Sequence, residues 1–147
     1  TLHWSTFLAG FLDELALHDP SAARRIVVGG DDVELQFDRG HLYRVLWNLL
    51  ANALRHAGVD DGAVRLEARA AADERMVELF VIDDGPGVDE VSRGQVFEPF
   101  FTTHGAGTGL GLYIARELCE ASGASLELLD TGPGAHFRIR AEGRTCR

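Results

Sequence analysis

A two-layer α/β sandwich is the fold class that this sequence predicts. Three observations lead there. Apolar residues recur at helical spacing in three separate segments, and short β-rich runs fall in neighbouring pairs with turn-forming residues between them. The order of elements also mixes paired strands with helices instead of alternating strand and helix. At 147 residues the chain is read as one domain spanning 1–147, with no internal repeat, low-complexity tract or interdomain linker.

The elements follow in order. Trp4, Phe7, Leu8, Phe11, Leu12 and Leu15 form one apolar stripe on a first helix that ends before Pro20. Ile26 to Val28 and Val33 to Phe37 are strand candidates separated by Gly-Gly-Asp-Asp, a turn signal, and they are expected to pair as a hairpin. Asp38 is placed to cap a long helix running to about Ala57, with Leu42, Leu46, Leu49 and Ala53 on its buried side. Val64 to Ala70 and Met76 to Ile82 read as strands joined by a polar turn. A loop rich in Gly, Pro and Phe is expected from Asp83 to Gly107, then a helix from about Thr108 to Ala121 that Gly123 terminates. Leu126 to Leu129 and His136 to Arg140 complete the strands, joined by Asp-Thr-Gly-Pro-Gly.

Composition narrows the chemistry. The chain is 46% hydrophobic and 25% charged, ordinary for a globular protein, and no apolar run approaches the roughly eighteen residues of a membrane helix. All 14 basic residues are arginine. A Walker phosphate loop is thereby excluded, because it needs a lysine to reach the β and γ phosphates. A net charge of −9 disfavours a nucleic-acid surface, which rests on clustered Lys and Arg. Cys119 and Cys146 lie far apart with no Cys-x-x-Cys and no Cys/His cluster, so neither a disulfide framework nor a zinc site is expected, and a reducing compartment fits. The chain begins at Thr1 and has one methionine, Met76, so it is expected to be a piece of a longer polypeptide or to have had its start removed.

Four segments hold the residues suited to chemistry. On the long helix Arg44, Asn48, Asn52 and His56 recur every four residues and share a face beside the apolar stripe. Asparagine is a poor helix former, so two of them in mid-helix call for a reason other than local stability. A solvated polar face is one reason; a ligand role is the other. Asn52 can offer a side-chain oxygen to Mg²⁺, which prefers hard oxygen ligands and completes its shell with water and substrate phosphates. Arg55 and His56 would add positive charge or donors nearby. The strand ending at Ile82 delivers Asp83 into DDGPGV, where a carboxylate can accept a hydrogen bond from the exocyclic amine of adenine. An Asp followed by glycines is also an ordinary turn. Phe97, Phe100 and Phe101 either anchor a surface loop or hinge a lid over phosphates. In GTGLGL, Gly109 and Gly111 allow close backbone approach, with a helix starting just behind them whose free amides would face an anion. A dinucleotide fingerprint fails here, because the required third glycine is Leu112 in one frame and Ile114 in the other.

Taken in order, NLLANALRHA, DDGPGV, VFEPFFTT and GTGLGLYIARELCEASGA resemble the N box, first glycine box, F box and second glycine box of sensor histidine kinases. The resemblance spans nearly the whole chain. It implies the Bergerat ATP-binding fold of the gyrase, heat-shock chaperone, kinase and MutL superfamily, a mixed five-stranded sheet packed against about three helices. It also implies ATP and Mg²⁺ as cofactors. Carried over residue by residue, it makes Asn52 the magnesium ligand, with Asn48 facing the phosphates or their waters and Arg55 and His56 beside them. Asp83 takes the adenine, Gly85 and Gly87 form the floor and Val88 closes that box. Phe97, Phe100, Thr102, Thr103 and His104 belong to the F box and the lid, and Gly107, Thr108, Gly109, Leu110, Gly111 and Leu112 to the phosphate-facing glycine string. The wording HLYRVLWNLLANALRH is similar to the subgroup controlling type IV pilus genes. Two departures stand out. His104 occupies a position where the family usually has Lys or Arg, which removes a fixed positive charge at neutral pH. No HExxxP-type acceptor helix occurs, and His18 before Asp-Pro does not qualify.

The expected function is binding of MgATP and donation of its γ-phosphate to a histidine on a separate upstream dimerisation and phosphoacceptor domain, in two-component signalling. The implied partners are that domain and a cognate response regulator, within a homodimeric intact protein whose cytoplasmic part this would be, beneath an inner-membrane sensor. Two alternatives share the boxes: an anti-sigma-factor-type serine kinase and an ATP-binding regulatory module without transfer. Hydrolysing members of the superfamily place a Glu where Asn48 stands, and an amide accepts no proton at neutral pH.

Overall fold

The computed structural model describes residues 1–73, 75–102, 109–130 and 132–146. A two-residue strand β1 (Leu2–His3) runs directly into α1 (Trp4–His18), which buries Trp4, Phe7, Leu8, Phe11 and Leu15, the stripe its spacing predicts. Asp19 ends α1 and caps α2 (Pro20–Arg24), accepting from the Ala22 amide at 3.1 Å, with Pro20 in the first turn where its missing N–H has no consequence. This short helix was not anticipated. Strands β2 (Ile26–Gly30) and β3 (Val33–Leu35) precede α3 (Arg39–His56), and Asp38 caps α3 as expected, accepting from the His41 amide at 2.9 Å. Then come β4 (Val64–Ala70), β5 (Met76–Asp83), the one-turn α4 (Glu90–Arg93), α5 (Gly111–Ala121), β6 (Ser125–Leu129) and β7 (His136–Thr145).

The strands form one mixed sheet in the order β1-β3-β7-β5-β4-β2, with β6 also paired to β7. Every pair is antiparallel except β2 with β4. Alternation along the central strands decides the layers. Val77, Leu79 and Val81 of β5, Val64, Leu66 and Ala68 of β4, and Phe137, Ile139 and Ala141 of β7 all point to the buried side. There they pack with Leu42, Val45, Leu46 and Leu49 of α3 and with Ala115 and Cys119 of α5. The opposite face is polar: Arg138 pairs with Glu78 and Glu127, and the Arg69 guanidinium lies over the Phe80 ring. One helical layer on one sheet face is the two-layer sandwich that the sequence predicts.

Three expectations need correction. First, β2 and β3 do not form a hairpin. β2 pairs in parallel with β4, Ile26 opposite Val64, while β3 pairs with β7 and β1 at the other end of the sheet. Their surroundings differ accordingly: Val33 and Leu35 are 0% exposed, whereas Val27 and Val28 on the edge strand are 48% and 45% exposed. At Gly30 (φ +91) the chain leaves β4, the Asp31 amide donating to the Ala68 carbonyl at 2.7 Å, so Gly-Gly-Asp-Asp marks departure from an edge strand. Parallel pairing of β2 and β4 is permitted because α3 supplies the crossover between them. Second, the sheet has seven strands rather than five, because short strands at its β1 and β3 end add to the central set. Third, α5 begins at Gly111, three residues later than expected, and the 83–107 segment contains α4, whose first turn is held by Asp89 accepting from the Ser92 amide at 2.7 Å. Gly123 does terminate α5, at φ +74.

Candidate functional site

The polar face of α3 is half-sunk into the protein at its middle. Asn48, Asn52 and His56 are half-buried, while Arg44 and Arg55 are exposed. Asn48 donates from Nδ2 to the Gly111 carbonyl at 3.1 Å, tying mid-α3 to the first residue of α5. At the far end of α3 the His56 carbonyl lies against Gly85, where a Cβ would come within 2.3 Å of that oxygen. Asn52 stands one turn from each, about 6 Å along the axis from either contact. Its half-buried amide has no hydrogen-bond partner among the described residues, so its oxygen is free to accept or to ligate. An uncharged oxygen donor at the edge of a cleft fits magnesium, which binds through few protein oxygens.

Asp83 ends β5 and is 3% exposed, one of two buried polar residues among those described. A lone buried carboxylate is costly unless hydrogen bonds compensate. Two do so here: Oδ1 accepts from the Gly85 amide at 2.9 Å and the Ala135 amide at 3.3 Å. No protein partner among the described residues engages Oδ2, which leaves an acceptor for an N–H of a ligand. The backbone is equally fixed, with the Asp83 amide donating to the Ala135 carbonyl at 3.1 Å. The neighbouring Asp84 braces the loop from outside, accepting from the Gly58 amide at 2.8 Å.

Gly134 is a site residue that the sequence reading missed. It has φ +79, and a Cβ on it would meet the Asp83 carbonyl oxygen at 1.8 Å. Gly87 in turn packs on Gly134, with φ +78 and a hypothetical Cβ 3.1 Å from its carbonyl. The β6–β7 turn thus presses backbone against backbone under the carboxylate. The signal was present in Asp-Thr-Gly-Pro-Gly, but as a turn signal only; nothing local says that this turn seats against residue 83. Val88 is half-buried against the core.

The third side of the cleft comes from the F-box segment and the start of α5. Phe97 packs edge-on against Phe137, ring centres 6.0 Å apart, with the Arg116 guanidinium over its ring 4.9 Å from the centre, so it is an anchor. Phe100 differs: it is 74% exposed and has φ +68, a left-handed value uncommon for an aromatic residue. Its amide donates to the Gly109 carbonyl at 2.9 Å, and a Cβ on Gly109 would sit 2.4 Å from the Phe100 carbonyl carbon. These two residues bring together the ends of the lid segment. Thr102 borders it and is half-buried. Thr103, His104, Gly107 and Thr108 lie outside the described residues. Leu110, Gly111 and Leu112 are half-buried, and Leu110 at the helix N-cap offers no side-chain cap to the first amides of α5. Uncapped amides at the positive end of a helix dipole favour an anion there.

Contacts therefore join the predicted groups. The α3 wall touches the glycine string through Asn48 and the Asp83 loop through His56, and Asn52 lies between. This arrangement offers a buried acceptor, a neutral oxygen donor and a helix N-terminus.

The family described as histidine kinase-, DNA gyrase B-, and HSP90-like ATPase matches residues 37–144. The chain is 40% identical over 121 residues to the sensor protein kinase PilS of Pseudomonas aeruginosa, covering 81% of this chain and 21% of that protein. It is 39% identical over 127 residues to the two-component sensor PprA of the same organism, covering 82% of this chain and 13% of that one. The chain thus spans about a fifth or less of these relatives. Among solved structures it superposes on the mycobacterial sensor histidine kinase MprB with a TM-score of 0.79 at 25% identity, covering 99% of this chain and 97% of that one. For full-length ShkA in complex with AMPPNP the TM-score is 0.72 at 32% identity, covering 95% and 30%.

Proposed function

The chain belongs to the histidine kinase-, DNA gyrase B- and HSP90-like ATPase family, and from that premise we propose that it binds MgATP and presents the γ-phosphate to a histidine on a separate helical domain. It is an ATPase-type domain as found in sensor histidine kinases. The observation that supports the reading most is Asp83: a buried carboxylate with one oxygen clamped by two backbone amides and the other left for the adenine amine.

In this reading Asp83 orients the base, and the glycines at 85, 87 and 134 let backbone approach it. Asn52 would hold magnesium, which would supply charge neutralisation beside the phosphates. The first turn of α5 binds phosphate oxygens, and Asn48 keeps that turn registered against α3. Phosphoryl transfer asks mostly for positioning and charge neutralisation, so no base of this chain is needed when the acceptor imidazole is itself the nucleophile. Transfer is favoured over hydrolysis because Asn48, whose amide donates to Gly111, cannot activate water. The intact protein is proposed to be a dimeric sensor with a cognate response regulator and a membrane anchor outside this chain; no helix among the described residues is long and apolar enough to cross a membrane.

Calorimetry tests the pocket. The chain should bind MgATP with preference over MgGTP, and Asp83→Asn should erase most of that preference; unchanged discrimination removes Asp83 from base recognition. Transfer is tested by adding, as a separate protein, a helical phosphoacceptor domain of a sensor histidine kinase. Acid-labile label should appear on that domain's histidine, and label on a serine of a partner instead would favour the serine-kinase alternative.

A further inference from the structure

A second group of reactive side chains gathers at the opposite end of the sheet. In the β1–β3 pair His3 stands opposite Glu34, and in the β3–β7 pair Glu34 stands opposite Arg144. Side chains alternate along a strand, so Cys146, two residues beyond Arg144, returns to the same face. The ladder does continue that far, since the Cys146 amide donates to the Asp32 carbonyl at 2.9 Å. Strand register therefore brings together His3 and Cys146, 143 positions apart in sequence, with Glu34 between. No local Cys/His spacing could have revealed it.

One ligand atom from each of His3, Glu34 and Cys146 lies within 4.8 Å of the others. Cys146 Sγ is 3.6 Å from His3 Nδ1. A tetrahedral zinc ion with bonds of about 2.3 Å to sulfur and 2.0–2.1 Å to nitrogen holds those two atoms about 3.6 Å apart, so this edge is already at ligand spacing. Glu34 is held aside by Arg144 and lies 3.6 Å from His3 Nε2. That nitrogen is not the one beside Cys146, so a carboxylate oxygen must leave the Arg144 and Nε2 pairing to join an ion held by Nδ1 and Sγ. The three residues also line a cavity of about 880 Å³ together with Ala70, Ala71 and Arg144, which leaves room for a water as fourth ligand.

We propose that His3, Glu34 and Cys146 bind a divalent transition-metal ion of zinc-like preference, at a site separate from the nucleotide cleft. Nitrogen, sulfur and carboxylate donors together select such ions over magnesium or calcium. As the sulfur–metal bond forms, the thiol proton passes to solvent. The ion would tie β1, and with it the start of α1, to the end of β7. About ten residues of β7 separate the two sites, roughly 30 Å.

The test uses the tag-free 147-residue chain with reduced thiols, and Co²⁺ and Zn²⁺ as probes. Co²⁺ should produce a thiolate-to-cobalt charge-transfer band that saturates at one equivalent and is displaced by Zn²⁺. Cys146→Ala should abolish the band, and His3→Ala should weaken Co²⁺ binding at least tenfold while leaving MgATP binding unchanged. Arg144→Ala, which frees Glu34, should tighten it. Protection of Cys146 from alkylation by stoichiometric Zn²⁺ needs no variant and should accompany the band. Absence of the band from the folded wild-type chain, its survival in Cys146→Ala, or unprotected alkylation would each overturn the site and leave only a thiol–imidazole hydrogen bond beside an ion pair.

Discussion

Replacing Gly134 by alanine should damage both stability and nucleotide binding, although the residue lies in a turn far along the chain from any predicted binding residue. The magnitude follows from two contributions. At φ +79 an L residue is strained by about 1–2 kcal/mol. The added Cβ would also sit 1.8 Å from the Asp83 carbonyl oxygen, a backbone atom that cannot rotate away, so the turn must withdraw by about 1 Å. That movement strains or breaks the Asp83–Ala135 backbone bond and the bond from the Ala135 amide to Oδ1, each of which contributes about 1 kcal/mol. The expected loss is roughly 3–4 kcal/mol, a large share of the 5–15 kcal/mol that stabilises a typical domain. Gly132→Ala is the matched control. It shares the turn and has φ +70, but its Cβ would meet only the His136 ring at 3.8 Å, so strain of about 1–2 kcal/mol should be its whole effect. Urea unfolding of the two variants should differ by about 2 kcal/mol, a separation of some 4–8 °C in Tm. Calorimetry with a non-hydrolysable ATP analogue should show tenfold or greater weakening for Gly134→Ala alone, because only there is the Asp83 carboxylate, proposed to take the base, displaced. Equal stability losses and equal affinities in the two variants would refute the reasoning.

Other outcomes are expected. Asn52→Ala should lose Mg²⁺-dependent nucleotide affinity by about tenfold or more with little change in the unfolding midpoint, since its side chain makes no hydrogen bond among the described residues; equal MgATP binding in calorimetry counts against the metal role. Asn48→Ala removes the bond to the Gly111 carbonyl and should lower stability by about 1 kcal/mol, with faster hydrogen exchange confined to the first turns of α5. Burial pushes the Cys119 thiol up to about 12 from an ordinary 9.0, with Glu120 adding to the rise. Above pH 9 the unfolded chain gives up this proton while the folded chain keeps it, so stability falls between pH 9 and 12. Urea unfolding of wild type against Cys119→Ala should show a decline steeper by up to about 1.4 kcal/mol per pH unit in wild type, and parallel profiles would contradict the burial argument. Incubated alone with labelled ATP, the chain should acquire negligible acid-labile phosphate, since the HExxxP-type acceptor pattern does not occur in it.

Much of the molecule was legible from local pattern. The α1 stripe from Trp4 to Leu15 and the α3 stripe from Leu42 to Ala53 follow from helical spacing, the Asp38 cap from the chemistry of helix starts, and the alternation in β5 from a sheet with one covered face. The candidate pocket was legible for a related reason: Asn48 and Asn52, Asp83 with its glycines, and GTGLGL are each short strings, and short strings survive being read one window at a time. Where such reading failed, a window held a true signal with two structural meanings. Gly-Gly-Asp-Asp turns a chain, but only the rest of the sheet decides whether it joins hairpin partners or releases an edge strand.

By its own periodicities and strings, then, the sequence determined that the chain has buried helices over a half-covered sheet and that it carries the boxes of a histidine kinase-type ATPase domain. Tertiary structure alone decided that β2 runs parallel to β4 while β3 joins β7, that Gly134 seats under Asp83, that Asn48 grips the start of α5, and that His3, Glu34 and Cys146 share one face. Three of these depend on which strand pairs with which and in what register, and the Asn48 contact on how α3 and α5 pack on the sheet those strands form. Register is settled by burying one face of every strand at once, a condition on the whole chain that no single segment can express.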